Sequence, residues 1–343
     1  MKRLCLLMLV AATLWVSPVL GDATSYNIKQ RPTERWFSGS IFDPAWGWMK
    51  AIDSRVEGGI DNPGTGVTFY VDSGVSSEGD GTSWTNAKDT LAEAVALCTA
   101  SRGDRIKIAQ GHAEAIANAV GCVVNVAGVT IEGIGSGSLI PTFTLGTDAN
   151  ATISVTAANV SISNIKVISG LADVDVGITL GALADGAVIT NCLFTDGANN
   201  KELLVNLSVT ADCDNIIIAN NRFTALATAN TTNAILLAGG SDNSVIAGNF
   251  IYGTYTTGGV LASAAASVNL TVVDNVIGCI DAIAYDSHSS TTGLFARNLL
   301  GANATSIAAA LTGTEAMFCW ENYVTGALNA SGIIIPAVDS DGG

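Results

Sequence analysis

Cations are scarce in this chain, and so are charge in general, aromatic rings and long apolar runs. Only 13% of its 343 residues are charged and 6% are aromatic. Beyond Gly111 the basic residues are Lys166, Lys201, Arg222 and Arg297, against 18 carboxylates. Such a segment repels polyanions and lacks the clustered Lys and Arg that nucleic acid requires. No apolar run after the N-terminus is long enough to span a bilayer. The cysteines (Cys98, Cys122, Cys192, Cys213, Cys279 and Cys319, plus Cys5 near the start) show neither a CxxC pair nor metal-ligand spacing. No metal set, cofactor motif or disulfide framework is therefore read. Few aromatics imply a thin core.

What is abundant is small and β-branched. Mean hydropathy is +0.41 with 37 glycines. The apolar residues fall in short runs broken by Gly, Asn and Ser, a composition suited to closely stacked coils. Within these runs a frame repeats. Asn221, Asn249, Asn275, Asn298 and Asn322 each have an apolar residue three before and another two after. Successive asparagines lie 28, 26, 23 and 24 positions apart. Cys192 and Ile165 occupy the same slot upstream. Recurrence at 20–50 residues marks a stacked repeat, each unit burying its face against its neighbours. Inward positions alternate along a strand, so the step of three across the slot demands a bend. An Asn just after the bend points inward, where its amide can join a column of amides about 4.8 Å apart.

The N-terminus is different. Residues 1–21 read as a secretory signal: Met1-Lys2-Arg3, an apolar stretch from Leu4 to Val16, and Val19-Leu20-Gly21 before Asp22. Residues 22–65 carry Trp36, Trp46 and Trp48 and no coil frame, and read as an irregular docking arm. From residue 66 the coil region begins. Val67–Val71 is a strand, and Asn86 N-caps a helix over 87–100 with Leu91, Val95 and Cys98 on one face. Gly103-Asp104-Arg105-Ile106-Lys107-Ile108 starts the first coil. A second strand per coil is traced through Ile153–Val155, Ile178–Leu180, Val205–Leu207, Ile235–Leu237, Val260–Ala262, Ile283–Tyr285, Ile307–Ala309 and Ile333–Ile335.

The run Gly81 to Ala87, the helix, Gly103 to Ile108 and then Gly111 resembles the opening of right-handed parallel β-helices of the pectin-lyase-like superfamily. Cys98 to Asp104 followed by Gly111-His112-Ala113-Glu114 is similar, more narrowly, to uncharacterised β-helix virion proteins encoded by tailed phages. The likeness spans about residues 66–335. It implies an all-β right-handed parallel β-helix, a solenoid over 66–343, with an N-terminal capping helix. It also implies a groove chemistry to look for. Lyases similar to this superfamily need a basic proton acceptor and cations to neutralise a uronate, which this chain lacks. Hydrolases need paired carboxylates. Candidates are Asp281 and Asp286 near His288; Asp212 and Asp214 read as turn formers. His112 beside Glu114 reads as structural, and Asp173 with Asp175 lacks the glycine-rich calcium repeat.

Outward positions are apolar where an exposed sheet should be polar. Val188, Ile217, Val245, Leu294 and Phe318 precede the bend; Phe250, Val276, Leu299 and Tyr323 follow it. Leu236, Leu261, Ala284, Ala308 and Ile334 extend the pattern in the second strand. A stripe of that length exceeds what a soluble monomer normally exposes, so an identical subunit is the economical cover, as a homo-oligomer and specifically a trimer. The expectation is a non-enzymatic structural subunit of an extracellular assembly, a phage or virus virion component such as a decoration, fibre or spike protein. Residues 22–65 would engage other virion or cell-surface proteins. Two alternatives stay open: a secreted glycan-active β-helix (polysaccharide hydrolase or carbohydrate binder), or a bacterial surface adhesin or filament subunit.

Overall fold

The computed structural model describes residues 66–198, 200–226, 230–280, 282–302, 310–325 and 332–334. The leader, the arm with Trp36, Trp46 and Trp48, Asp281 and Ala308 lie outside these. The described chain is an all-β right-handed parallel β-helix of three sheets, the hand that parallel crossovers almost always take.

Sheet A stacks ten strands from Thr68–Val71 and Arg105–Ile108 up to Gly293–Ala296 and Met317–Trp320. Sheet B runs from Ala113–Ile116 to Asn322–Thr325 and ends on Gly332–Ile334; sheet C runs from Cys122–Val124 to Leu311–Thr312. Each coil contributes one strand to each sheet. The core is one column of Val, Ile, Leu and Phe, with Phe194 and Phe223 stacked at 4.7 Å between ring centroids.

Sheets A and B are joined by two residues. The first is left-handed in seven successive coils: Asn164, Asn191, Asn220, Gly248, Asp274, Arg297 and Glu321, with φ between 49° and 64°. Gly248 is small for a reason, since a Cβ there would lie 2.6 Å from Asn220 Oδ1. The second residue points inward, and from the third of these coils it is asparagine. Asn249 Oδ1 accepts both the Asn221 backbone N–H (2.9 Å) and its amide (3.2 Å), and Asn249 Nδ2 donates to Ile218 carbonyl at 2.8 Å. The same set recurs through Asn275, Asn298 and Asn322, all five asparagines being at most 1% exposed. The apolar residue three before each slot thus supplies the carbonyl that the next coil's amide needs.

The turn from sheet C to sheet A uses the same device, with Gly128, Asn159, Gly186, Asn215, Asn243 and Asn269 left-handed. Outside it Asp185, Asp214 and Asp242 each accept a backbone N–H from the coil above, at 3.0, 2.9 and 2.7 Å. Inside it Ser241 and Ser267 form a hydroxyl column, Ser267 Oγ accepting the Ser241 N–H at 3.0 Å.

Four sequence expectations are corrected. The helix spans Leu91–Leu97, with Thr90 and Glu93 closing a capping box; Asn86 ends a 3-10 turn capped by Ser83. Lys88 bridges to Val71, which keeps the chain extended just before the helix. In sheet C, Ile178 pairs with Leu207 and Val260 with Tyr285, so Leu207–Val209 and Tyr285–Ser287 carry the inward positions. Ala284 is accordingly buried instead of outward. Corner lengths between sheets B and C vary, and a fixed offset cannot track them. The traced residues 307–309 lie outside the described residues, and the described strand that pairs with Tyr285 and Asp286 is Leu311–Thr312. Finally, Gly332–Ile334 makes no further coil but pairs antiparallel with Asn322–Thr325.

At the first coil Asp104 ties three segments. Its Oδ1 accepts Val67 N–H at 2.8 Å and its Oδ2 accepts Thr99 N–H at 2.7 Å, while Arg102 grips both oxygens. Burial would raise this carboxyl, but the Arg102 fork and the two N–H donors hold it below the usual range. Its contribution is therefore present above about pH 4 and is lost as pH falls through the lowered value. Asp104→Asn should lower the unfolding midpoint at neutral pH and flatten the acid limb of a stability–pH profile. Asn275→Leu should cost at least about 1–3 kcal/mol in urea unfolding, because the Asn249 N–H and the Ile246 carbonyl lose their partner.

Candidate functional site

The outer surfaces of sheets A and B hold the residues singled out for association. The pairing register places Ser161, Val188, Ile217, Val245, Thr271, Leu294 and Phe318 in one straight column on sheet A. Beside it runs a second column, Ser163, Thr190, Ala219, Ala247, Val273, Ala296 and Trp320. None of these side chains is charged. Phe318 is 63% exposed and Trp320 49%, with their rings nearly parallel at 6.4 Å. The second column escaped the sequence reading because alanines carry no pattern of their own; the inward neighbours' spacing fixes it.

Sheet B carries Lys166, Leu193, Arg222, Phe250, Val276, Leu299 and Tyr323 in register. Arg222 lies over the Phe250 ring at 4.9 Å, and Tyr252 is 54% exposed nearby. The expected single stripe is therefore two faces on different sheets, separated by the two-residue bend. Leu236 and Leu261 sit half-buried on sheet C, apart from both.

Of the hydrolase candidates, Asp281 lies outside the described residues, and Asp286 and His288 each make a separate contact. Asp286 faces outward on sheet C and accepts the Thr312 hydroxyl. His288 Nδ1 accepts Ser290 N–H at 3.1 Å within its own turn. His112 is fixed too. Its Nδ1 accepts Ser73 N–H at 2.9 Å, so Nε2 carries the proton and donates to Glu114 Oε2 at 3.2 Å, which also accepts Leu91 N–H at 2.9 Å. With Nδ1 occupied by a backbone donor, this imidazole cannot take a proton from Ser73. The trio anchors the helix to the first coil.

Buried polar groups gather instead at the corner between sheets B and C. Asp196 follows its sheet B strand and is 5% exposed. Its oxygens accept Leu226 N–H (2.8 Å), Leu203 N–H (3.3 Å) and the Thr231 hydroxyl (3.3 Å). Burial pushes its carboxyl up. Glu202, at the start of the sheet C strand, is 2% exposed; Asn230 Nδ2 reaches Oε1 at only 3.5 Å, and Oε2 has no donor. Tyr255 hydroxyl and the Asn206 amide are likewise buried without partners. Sequence reasoning missed this corner. Asp173, Asp196 and Glu202 sit at unequal offsets, and only the strand register brings them near one another.

Among the described residues, Glu78, Asp89 and Glu93 could share a cation, but they are largely exposed. No helix there is long and apolar enough to cross a membrane. The five most buried cysteines are free thiols; burial raises Cys192 and Cys279 to about 12.

No known protein family matches the chain, and no curated protein does. Among solved structures, the GH136 lacto-N-biosidase from Eubacterium ramulus is similar at 12% identity and a TM-score of 0.26, over 83% of this chain and 70% of that one. A likeness of that degree assigns no activity or substrate.

Of the four cations beyond Gly111, Arg297 is held bidentate by Asp274 and Arg222 lies on Phe250. Neither is free to accept a proton from a uronate. Incubation with pectate, alginate or hyaluronan, with and without Ca²⁺, should yield no unsaturated product by ultraviolet absorbance.

Proposed function

We propose that this chain is a non-enzymatic structural subunit of an extracellular assembly, in the manner of a phage or virus decoration, fibre or spike protein. The observation that carries the reading is the uncharged outer face of sheet A, continuous over seven coils. Seven coils at about 4.8 Å and a strand width near 10 Å make a face of roughly 300 Å². That is below the ~800 Å² per partner of a stable interface. The apolar part of sheet B from Phe250 to Tyr323 adds, over four coils, a smaller face of roughly 200 Å² across the bend. Two faces on different sheets suit a ring in which each copy offers sheet A to one neighbour and sheet B to the other. A trimer is the smallest closed ring of that kind, and it leaves neither face in water.

Glycan binding is a second reading, supported by the exposed Tyr252, Tyr323 and Phe250 with Arg222 on sheet B, since sugar rings stack on aromatic faces. One experiment separates the two. Light scattering on residues 22–343 at micromolar concentration should give three times the subunit mass, and Leu294→Asp with Phe318→Asp should give monomer. A wild-type monomer that the double variant leaves unchanged, and that is retained on a glycan array through Tyr252, would replace the assembly reading.

A further inference from the structure

The strand register continues one residue beyond the paired strands at the corner between sheets B and C. Val174 pairs with Leu203, and Val174 N–H donates to Glu202 carbonyl at 3.0 Å, so Asp173 and Glu202 are cross-coil neighbours. Above them comes Asn230, since Val205 pairs with Asn233. The column therefore reads Asp173, Glu202, Asn230. Its middle member is nearly inaccessible, and its Oε2 finds no N–H or O–H donor.

The surroundings offer no countercharge. From the coil below, Glu202 meets Asp173, with Asp175 further along that strand; from its own coil, Lys201 and Asp196; from the coil above, Asn230. Lys201 is exposed and forms no ion pair among the described residues. Glu202 is buried while Asp173 opens to solvent, so an ionised Glu202 would be desolvated beside a like charge. A proton on Glu202 removes that repulsion and supplies the missing hydrogen bond.

We propose that Glu202 keeps a proton in the folded protein and donates it to the Asp173 carboxylate, and that losing it loosens this corner as pH rises. The corner is held by few backbone contacts: Gly197 N–H to Lys201 carbonyl closes the loop, and Ser169 hydroxyl reaches the same carbonyl. Burial, then the Asp173 carboxyl, raises the Glu202 carboxyl above the usual range. The sign follows. The native state binds more protons than the unfolded chain between about pH 4 and the raised value, so stability falls as pH climbs through that window. This is opposite to the contribution of Asp104.

Glu202→Gln is the informative substitution, because its amide donates to Asp173 permanently and imitates that proton. Thermal unfolding of the full chain is measured from pH 4 to pH 8.5 for wild type, Glu202→Gln and Asp173→Asn, with infrared detection of protonated carboxyl groups. Wild type should lose several degrees relative to both variants as pH rises, while all three agree near pH 4. A protonated-carboxyl band above pH 5 should be stronger in wild type than in either variant, what remains in the variants belonging to Asp196. Parallel midpoint curves with no such difference in the band would overturn the proposal. So would a midpoint that Ca²⁺ raises in wild type and not in the variants, since the pair would then hold a cation. If one variant fails to fold, the other decides alone.

Discussion

Everything in this solenoid depends on how the backbone leaves sheet A and enters sheet B. Six of the seven first bend residues are not glycine yet are left-handed. Such a residue costs on the order of 1 kcal/mol, and the cost recurs in every coil. The asparagine that follows offsets it. Its Nδ2 donates to a strand carbonyl of the coil below, and its Oδ1 receives the N–H of that coil's bend. The bend therefore forms only against another bend, which makes each coil conditional on its neighbours. Further down, Ile165 and Cys192 fill the slot with apolar bulk, and the lowest ladder oxygen, that of Asn221, accepts Cys192 N–H at 2.9 Å. The ladder thus rests on the hydrophobic half of the stack.

The three corners solve one problem in different ways. Two of them repeat over much of the stack, with a two-residue bend between sheets A and B in seven coils and seven residues between sheets C and A in four, and there polar atoms find partners in the next coil at recurring places. The corner between sheets B and C has turns of unequal length, so no side chain can repeat at a constant place. Its polar groups are assembled case by case, and it holds the described side chains with buried atoms left unpaired. Packing tightness at the neighbouring strand shows the same irregularity: a Cβ on Gly259 would fall 2.5 Å from Ile277 Cγ2. Regularity gives rigidity at two corners, while irregularity leaves the third responsive to its surroundings.

That contrast also explains what could be read from the amino-acid sequence. The fold class and the asparagine slot were legible because Ile218, Asn221 and Phe223 repeat their offsets coil after coil. The sheet C register was legible at Ile153, Ile178, Ile235 and Val260, but not where Leu207 and Tyr285 are displaced by the preceding turn. Thr90 was overlooked as the helix cap because Asn86 offered the same chemistry four residues earlier. The carboxyl corner left no linear trace, as Asp173, Asp196 and Glu202 meet only once coils are stacked. The outward residues and their division before and after the bend were legible as well; that the bend turns them onto two separate faces instead of one stripe was not.

The reversed strand Gly332–Ile334 has a consequence for polymer length. A stack of parallel coils is a template: its last rung presents the same slanted pattern of donors and acceptors that its own next rung would need. An identical molecule could add there, and another on that, giving fibres whose length depends on concentration. Turning the final rung of sheet B around replaces the pattern with an antiparallel one. An arriving copy would have to match parallel edges on sheets A and C and an antiparallel edge on sheet B at once. The length of the column is then set by the chain itself and not by concentration.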